Sequence, residues 1–402
     1  MLKLGLIREY KQPPDRRVAF TPTQCAEIKQ THPDIDICTE SSPDRMFTDD
    51  QYINAGIEVT QNLSDCDILF GIKEVPIENL IEGKTYMFFS HTIKKQPHNR
   101  ELIKTILKKN ITLIDYECLV WPNLTRVLGF GRYAGLVGTY ETFRAWGKRT
   151  GTFTTKPCFE CADYKELKTV LFGVEDLIKK GGNKIVVAGG GRVVSGCLEI
   201  LDLLQIKKVK PVEFLENELE ETVYVHLDND ELYARKDGLP WDHDHFFKNH
   251  SAYISKFAPY TKVADIMING VYWEPAMPRH FSKEDTASPD FKLKLIADIS
   301  CDIEGSVPIT LHDTHPKDPV FGWDPVQQAE CAPFTENCID VMAVSNLPSE
   351  LPADASEGFG GDLLKTVLPA LLDPSSEMIK NATICVDGKL TEKFSYLSDY
   401  IK

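Results

Sequence analysis

Short apolar runs alternate with helix-forming segments along most of the chain, and this alternation constrains the fold more than any other feature. In the first third the runs are LKLGLI, IDICTE, CDILFGIK, KTYMFFSH and ITLIDYE, with segments such as RELIKTILKKN between them. Alternation of strands and helices at short intervals predicts an α/β fold with an open, largely parallel sheet. A long helix is predicted over 132–147, and NKIVVAGGG begins a second α/β unit after it.

The length and charge of the chain limit the class of partner. The 402 residues allow two or three domains, and the formal net charge is -15. Nucleic-acid binding depends on Lys and Arg that neutralise phosphates, so we expect no nucleic-acid partner. No run approaches the roughly 20 apolar residues that span a bilayer, and charge appears too early for a signal peptide. We therefore expect a cytoplasmic protein with small-molecule substrates and no membrane partner.

A glycine turn follows the apolar run KIVVA and precedes a predicted helix. Gly189, Gly190 and Gly191 form this turn, and a dinucleotide pyrophosphate binds well at such a helix N-terminus, where free N–H groups and the helix dipole favour anions. A strict GxGxxG pattern has its third glycine where Val194 stands, and Gly196 comes two residues later. This difference puts the helix–strand packing in question, but not the phosphate contact.

An acidic residue at the end of the next strand would bind the ribose hydroxyls of the cofactor. Two runs compete for that strand, and Pro211 in VKPVEF argues against a central strand. TVYVHLD is the better candidate and ends at Asp228, although it lies further on than the usual spacing of about 20 residues. This choice requires an insertion over 205–221 and favours NAD over NADP.

Three apolar runs of the first third end in ionisable residues. Lys73 ends one run, His91 the next, and Glu117 the third. Ligands bind beyond the carboxyl ends of the strands in an open parallel sheet, so these residues predict one convergent site. A lysine whose pKa is lowered by burial or by neighbouring cations can act as a base, and a histidine is a natural second acid/base.

Each of these residues also has an ordinary structural interpretation. A single lysine after a strand is usually a solvated loop residue, so the argument rests on the recurrence of the pattern. Cys158 and Cys161 form a lone CxxC motif, for which reduced thiols are the simpler interpretation. The histidine-rich segments DHDHFFKNH and HDTH lack a full set of zinc ligands, so no metal is expected.

Several segments resemble one enzyme family. RRVAFTP, GIKE, FFSHTIKKQ, IDYE and GFGRYAG are similar to segments of lysine-forming saccharopine dehydrogenases, and more so to the lysine–ketoglutarate reductase part of aminoadipic semialdehyde synthases. APYTKVADIMINGVYWE, ADISCDIEGS and NLPSELPADASEGFG extend the resemblance in order to about residue 372, and it is thin across 148–183 and 205–250.

The resemblance implies an alanine dehydrogenase-like architecture. It consists of two Rossmann-like, doubly wound parallel-sheet domains with a cleft between them. The catalytic and substrate domain would comprise 1–132 plus 342–402, and the dinucleotide-binding domain would comprise 133–341.

The resemblance also implies a set of site residues. Lys73 would be the general base and His91 the second acid/base. The substrate-binding residues would be Arg17, Glu74, Lys94, Gln96, Glu117 and Phe130. The cofactor-binding residues would be Arg126, Gly189, Gly190, Gly191, Arg192, Asp228, Asn269, Gly270, Val271, Tyr272, Asp298, Ile299 and Ser300.

The implied reaction interconverts saccharopine with L-lysine and 2-oxoglutarate, using NAD or NADP. Alanine dehydrogenase remains an alternative because it shares the lysine, the histidine and the glycine turn. A nucleotide-binding sensor without turnover is an alternative of another class. The sequence leaves open the choice of cofactor, the reaction direction, synthesis or degradation of lysine, a partner enzyme, and formation of a homo-oligomer.

Overall fold

The computed structural model describes residues 1–10, 14–218 and 220–402. These residues form two compact units, of which the first comprises Met1–Gly129 with Pro352–Lys402 and the second comprises Phe130–Leu351. Each unit contains its own eight-stranded sheet. The prediction of an α/β chain with two largely parallel sheets is therefore confirmed.

The strands and helices are numbered here along the chain. The strands are β1 (Leu2–Leu6), β2 (Ile35–Glu40), β3 (Glu58–Thr60), β4 (Ile68–Phe70), β5 (Thr85–Phe88), β6 (Thr112–Asp115), β7 (Lys184–Ala188), β8 (Lys207–Lys208), β9 (Val223–Leu227), β10 (Tyr233–Arg235), β11 (Tyr253–Ser255), β12 (Ile266–Asn269), β13 (Leu295–Asp298), β14 (Val320–Asp324), β15 (Ala329–Cys331), β16 (Ile339–Met342), β17 (Thr383–Val386) and β18 (Lys389–Leu390). The helices are α1 (Pro22–Thr31), α2 (Asp49–Asn54), α3 (Arg100–Lys108), α4 (Gly131–Thr150), α5 (Tyr164–Phe172), α6 (Glu175–Lys179), α7 (Gly191–Leu203), α8 (Pro211–Glu216), α9 (Asn229–Leu232), α10 (His243–Lys248), α11 (Ala258–Thr261), α12 (Pro352–Asp362), α13 (Leu368–Leu372) and α14 (Glu377–Ala382).

The sheet of the first unit has the strand order β18-β17-β6-β5-β4-β1-β2-β3. Strands β1 to β6 are parallel, and β17 pairs antiparallel with β6. The chain passes from β1 through β2 to β3 and then returns to the other side of β1 at β4. The strand order therefore reverses between β1 and β4, which is where open α/β sheets bind ligands.

The sheet of the second unit has the order β15-β14-β16-β13-β12-β7-β9-β8. The strand order reverses between β7 and β12, next to the glycine turn that follows β7. The run TVYVHLD forms β9, the parallel neighbour of β7, as predicted. Pro211 begins helix α8, and the two-residue strand β8 lies at the edge of the sheet, so the argument against a central strand there is confirmed.

The end of the second unit differs from the sequence-based limit. Strand β16 pairs parallel with β13 and includes Met342, so a boundary between 341 and 342 would cut off its last residue. The unit continues to Leu351 because the segment before it packs on α4. The assignment of 1–132 plus 342–402 and of 133–341 to functional domains stays a prediction.

Helix α4 extends the predicted helix by a few residues at its ends and packs closely on α7. A Cβ atom placed on Gly196 of α7 would lie 2.0 Å from the backbone oxygen of Arg132, and one placed on Gly135 of α4 would lie 2.0 Å from that of Val193. The two helix backbones therefore approach as closely as glycine allows. Within the described ranges, no helix is long and apolar enough to cross a membrane.

We expect Gly196→Ala to destabilise the second unit by about 1–3 kcal/mol, because the added methyl group meets backbone atoms that cannot move aside. The midpoint of thermal unfolding measures this effect. Gly361→Ala is the matched control, because its Cβ would meet nothing closer than the Gln24 amide nitrogen at 3.9 Å. Equal midpoints for the two variants would contradict the close approach of α4 and α7.

Candidate active site

The predicted catalytic residues follow adjacent strands of the first unit. Lys73 and Glu74 come after β4, and His91 comes after β5, the parallel neighbour of β4. The Nδ1 atom of His91 is hydrogen-bonded to the Oε1 atom of Glu74. The structure thus brings together the histidine and the glutamate that the sequence assigned to one site.

His91 is held in an unusual backbone conformation. Its φ angle is 52°, in the left-handed region that residues other than glycine rarely adopt. Its ring stacks on that of Phe89, with centroids 6.4 Å apart and planes inclined by 19°. Strained backbone of this kind persists where the surroundings fix it, and it is concentrated at functional sites.

The contact with His91 determines the charge of Glu74. Burial acts to raise the pKa of Glu74, but the hydrogen bond to His91 and the charges of His91 and Lys73 lower it to about 2. An ionised Glu74 accepts a hydrogen bond from the Nδ1–H of His91, so Nε2 is the ring nitrogen that remains for proton exchange. Glu74 therefore orients the imidazole.

Glu117 lies between two predicted site cations. The Nη2 atom of Arg126 is 2.6 Å from its carboxylate, and the Nζ atom of Lys94 is 3.4 Å from it. The side chain of Glu117 is 3% exposed, whereas those of Arg126 and Lys94 are 53% and 47% exposed. The two cations are therefore anchored on a buried carboxylate and still reach solvent.

Asp115 connects the ends of β5 and β6. Its carboxylate accepts hydrogen bonds from the backbone N–H of Ser90 at 3.0 Å and of Glu117 at 2.7 Å. Burial raises the pKa of Asp115 to about 6, although these hydrogen bonds oppose the shift. Because Ser90 directly precedes His91, Asp115 connects the loop that carries His91 to the loop that carries Glu117.

The other predicted substrate residues have different surroundings. Arg17 forms a buried fork on Asp15, with its Nε atom 2.9 Å and its Nη2 atom 2.5 Å from the two carboxylate oxygens. Gln96 is exposed, and its backbone carbonyl accepts a hydrogen bond from the Tyr400 hydroxyl. Phe130 belongs to the second unit, where it is the N-cap residue of α4.

Two residues of the first unit were missed in the sequence. Asp15 neutralises Arg17, and Glu9 accepts hydrogen bonds from the backbone N–H groups of Ile72 at 2.7 Å and Lys73 at 2.9 Å. Glu9 follows the apolar run LKLGLI, just as Lys73, His91 and Glu117 follow theirs. The same rule, applied to the first strand, would have found it.

The glycine turn of the second unit depends on the absence of side chains. Gly189 and Gly191 have φ angles of 111° and 84°. A Cβ atom on Gly189 would lie 2.9 Å from the carbonyl carbon of Gly270, and one on Gly190 would lie 2.5 Å from Asp228. Side chains in the turn would therefore collide with backbone atoms and with Asp228, the residue predicted to bind the ribose.

Gly270 compensates for the missing third glycine of the fingerprint. Val194 is buried in α7, and its Cγ2 atom would lie 2.9 Å from a Cβ atom on Gly270. The helix can therefore pack on the end of β12 because a glycine directly follows the strand, although the helix position carries valine. The question that Val194 raised about this packing has a structural answer.

Asp228 lies at the carboxyl end of β9, next to the glycine turn. It is exposed and is the N-cap of α9, where its side chain accepts a hydrogen bond from the Asn229 N–H at 2.7 Å. A cavity of about 520 Å³ opens beside it. Its lining consists of Gly190, Gly191, Asp228, Asn229, Asp230, Trp241, His243, Phe247, Tyr272 and Met277.

The predicted cofactor residues Asn269 and Asp298 are partners of one another. The amide nitrogen of Asn269 donates to Asp298 at 2.8 Å, and the hydroxyl of Ser300 donates to the same carboxylate at 2.6 Å. Both residues are fully buried at the ends of β12 and β13. Their side chains fix the shape of these strand ends.

Three further residues complete this network, and no local sequence pattern indicates them. Ser306 accepts from Asn269 at 2.8 Å, and Thr310 donates to Asp298 at 2.6 Å. The Nε2 atom of His280 is 3.2 Å from the Asn269 amide oxygen, and burial lowers the pKa of His280 to about 3. This histidine is therefore neutral at physiological pH and serves as a hydrogen-bonding group.

The remaining predicted cofactor residues differ in exposure. Val271 and Ile299 are buried, whereas Tyr272 is 62% exposed and lines the cavity. Arg192 is exposed in the first turn of α7. In the parts of the chain that the structure describes, no group of three or more His, Cys, Asp and Glu side chains is arranged to hold a metal ion.

Comparison with known proteins identifies a similar domain and a similar fold. Residues 5–137 match the family model for the N-terminal domain of alanine dehydrogenase and PNT. The fold is similar to that of a solved L-alanine dehydrogenase, with a TM-score of 0.67 and 16% sequence identity over the full length of both chains. The predicted alanine dehydrogenase-like fold is confirmed.

Two kinds of curated relative are similar to the chain in sequence. It is 29% identical to the mitochondrial alpha-aminoadipic semialdehyde synthase of Mus musculus over 98% of this chain and 47% of that protein. It is 26% identical to the NAD(+), L-lysine-forming saccharopine dehydrogenase of Neurospora crassa over 88% of this chain and 87% of that one. The chain spans about half the length of the synthases that it matches. The resemblance indicated by the sequence motifs is confirmed.

We expect His91→Gln to raise the pKa of Glu74 from about 2 toward its ordinary value of 4.5, because the hydrogen bond and charge that lower it are lost. A lowered pKa contributes stability that is present above the unfolded value and is lost as the pH falls toward the folded value. The variant should therefore lose less stability on acidification than the parent protein.

Carboxyl ¹³C titration of Glu-labelled protein measures this pKa, and thermal unfolding over the same pH range measures the linked stability. His98→Gln, at an exposed position in the same unit, is the control. An unchanged Glu74 titration in His91→Gln would contradict the role of this contact.

Proposed function

We propose that the chain is an NAD(P)-dependent oxidoreductase that acts on a CH–NH bond and interconverts saccharopine with L-lysine and 2-oxoglutarate. The observation that carries this proposal is the Glu74–His91 contact beside Lys73, at the carboxyl ends of two neighbouring parallel strands. Such a site can manage the protons of an amine whose neighbouring carbon gains or loses a hydride.

The names of the relatives support this choice of substrate. One relative's name states NAD(+) and L-lysine formation, and the similarity to it covers most of both chains. The synthases are about twice as long as the part that this chain matches. We therefore propose only one reaction for this chain, rather than the whole activity of a synthase.

Lys73 and His91 divide the proton transfers in the proposed reaction. When bound, the nicotinamide accepts or supplies the hydride. Lys73 takes the proton of the secondary amine of saccharopine as the carbon–nitrogen double bond forms. His91, oriented by Glu74, exchanges protons at Nε2 with the water that adds to that bond and with the amine that leaves.

The cations around Glu117 suit a substrate rich in carboxylates. Lys94 and Arg126 both contact this one buried carboxylate, and both cations reach solvent. Arginine binds carboxylates with paired hydrogen bonds. The group would thus attract the 2-oxoglutarate part of the substrate in a chain that is acidic overall.

The glycine turn and its cavity suit a dinucleotide. The N–H groups at the start of α7 and the small residues Gly189 to Gly191 would hold the pyrophosphate. Asp228 would hold the ribose hydroxyls, and Asp230 lines the same cavity. Two carboxylates there repel a 2′-phosphate, so we propose NAD rather than NADP as the preferred cofactor.

Lys73→Met combined with His91→Gln tests the proposed catalytic residues. We expect NADH binding, followed by fluorescence, to be retained and turnover of saccharopine to fall by about 10²–10⁴-fold, the usual contribution of acid–base groups. Lys104→Met with His98→Gln is the matched control in the same unit. Turnover that survives in the first double variant would refute the assigned roles.

Asp228→Ser tests the cofactor preference, because serine preserves the N-cap of α9 and removes the charge. We expect kcat/KM with NADP, relative to that with NAD, to rise by about tenfold or more, equivalent to about 1.4 kcal/mol. Asp176→Ser, an exposed helix position, is the control. A parent enzyme that already prefers NADP would contradict the proposal.

Alanine dehydrogenase is a second candidate, supported by the match of residues 5–137 and by the similar fold. Assays with alanine, with saccharopine, and with lysine plus 2-oxoglutarate separate the two activities. Binding of NADH without turnover of any of them would favour a nucleotide sensor. A cytoplasmic location also stays a proposal, because three of the synthase names include the word mitochondrial, and cell fractionation would test it.

A further inference from the structure

Glu9 holds the backbone of the segment that carries Lys73. It lies just beyond the end of β1, and β4 is the strand paired with β1 on that side. One carboxylate oxygen accepts from the Ile72 N–H at 2.7 Å, and the other accepts from the Lys73 N–H at 2.9 Å. Both oxygens are thus used on two consecutive amides.

This contact acts at the place where the strand order of the sheet reverses. The Lys73 segment leaves β4 there, and its direction determines where the amine of Lys73 can reach. Hydrogen bonds to an ionised acceptor are roughly twice as strong as neutral ones. A catalytic group must be held within about 0.5 Å of its working position, so a backbone clamp at Lys73 bears directly on catalysis.

The groups around Glu9 make its charge variable. Asp15 and Arg17 face it from the loop before α1, and Tyr116 faces it from the segment after β6. The buried hydroxyl of Tyr116 has no hydrogen-bond partner among the described residues. Burial and the charge of Asp15 raise the pKa of Glu9 to about 8, while the two backbone hydrogen bonds and Arg17 oppose the shift.

We propose that Glu9 is a positioning residue, whose ionised carboxylate fixes the Lys73 segment and whose protonation loosens it. The catalytic consequence rests on the proposed function, but the backbone consequence does not. The clamp is complete with Glu9 ionised, so the Lys73 segment tightens as the pH rises through about 8. Because the folded-state pKa of Glu9 lies above its ordinary value of 4.5, the stability that protonated Glu9 contributes is lost as the pH rises from about 4.5 through about 8.

Amide hydrogen exchange at Ile72 and Lys73 tests the clamp without any substrate. A glutamine can accept from one of the two N–H groups but presents a donor to the other. We expect Glu9→Gln to exchange about tenfold faster at these amides, the effect of losing one charge-assisted hydrogen bond. Protection beyond the intrinsic pH dependence should increase through about pH 8 in the parent protein and stay flat in the variant.

Glu27→Gln is the matched control, because Glu27 is an exposed glutamate of α1 in the same unit. Glu9→Asp keeps the charge on a shorter side chain and should restore part of the protection and of its pH dependence. If Glu9→Gln does not fold, Glu9→Asp supplies the same comparison, with a smaller increase in exchange expected.

Steady-state kinetics connect the clamp to the reaction. With saccharopine, we expect Glu9→Gln to lower kcat by about tenfold with little change in KM, and to lose the rise of kcat through about pH 8. Glu9→Asp should recover part of both effects, whereas a residue that served folding alone would leave the shape of the pH profile unchanged.

The outcomes separate this inference from the proposed function. Unchanged exchange at residues 72 and 73 in the Glu9 variants, in a parent protein that turns over saccharopine, overturns the clamp alone. If the Glu9→Gln variant exchanges faster but the parent protein does not turn over saccharopine, the clamp is upheld and the proposed function is refuted. An unaltered pH profile of kcat, together with faster exchange, overturns the catalytic part of the inference.

Discussion

The parallel pairing of β1, β4, β5 and β6 is the constraint on which the candidate active site depends. Parallel strands end at the same edge of a sheet, and the register places Leu6 opposite Phe70, Phe70 opposite Met87, and Phe88 opposite Asp115. Residues that are far apart in the chain therefore follow one another across a single edge. A slip of one residue in any pair would turn these side chains to the other face.

Four of the cations at this edge are paired with carboxylates. Arg17 is paired with Asp15, His91 with Glu74, and Lys94 and Arg126 with Glu117. Removing a charge from water is costly unless it is paired, so the acidic partners allow cations to stand at a partly buried site. The pairs also limit the rotamers of the cations, which a catalytic or substrate-binding group requires.

The second unit depends instead on close approaches between backbone segments. The glycine turn can follow β7 because Gly189 and Gly190 have no side chains to meet Gly270 and Asp228. The packing of α7 depends on the same absence of a side chain, but here Gly270 follows strand β12 and Val194 lies on the helix. A glycine motif that is examined only in the helix therefore misses a packing contact that depends on the helix and on the residue after the strand.

The sequence determined the features that local patterns specify. Apolar runs gave the strands, the ionisable residues after them gave Lys73, Glu74, His91 and Glu117, and the run before Asp228 gave the neighbour of β7, because strand period and turn chemistry act over a few residues. Their roles in binding and catalysis stay predictions.

Tertiary structure decided which groups are partners. Glu9 is 64 residues from Lys73, Asn269 is 37 residues from Ser306, and only the folded chain makes them neighbours. Buried polar groups need hydrogen-bond partners whatever their distance in the chain. A local pattern can therefore place a side chain at the end of a strand, but only the completed sheet determines what it binds there.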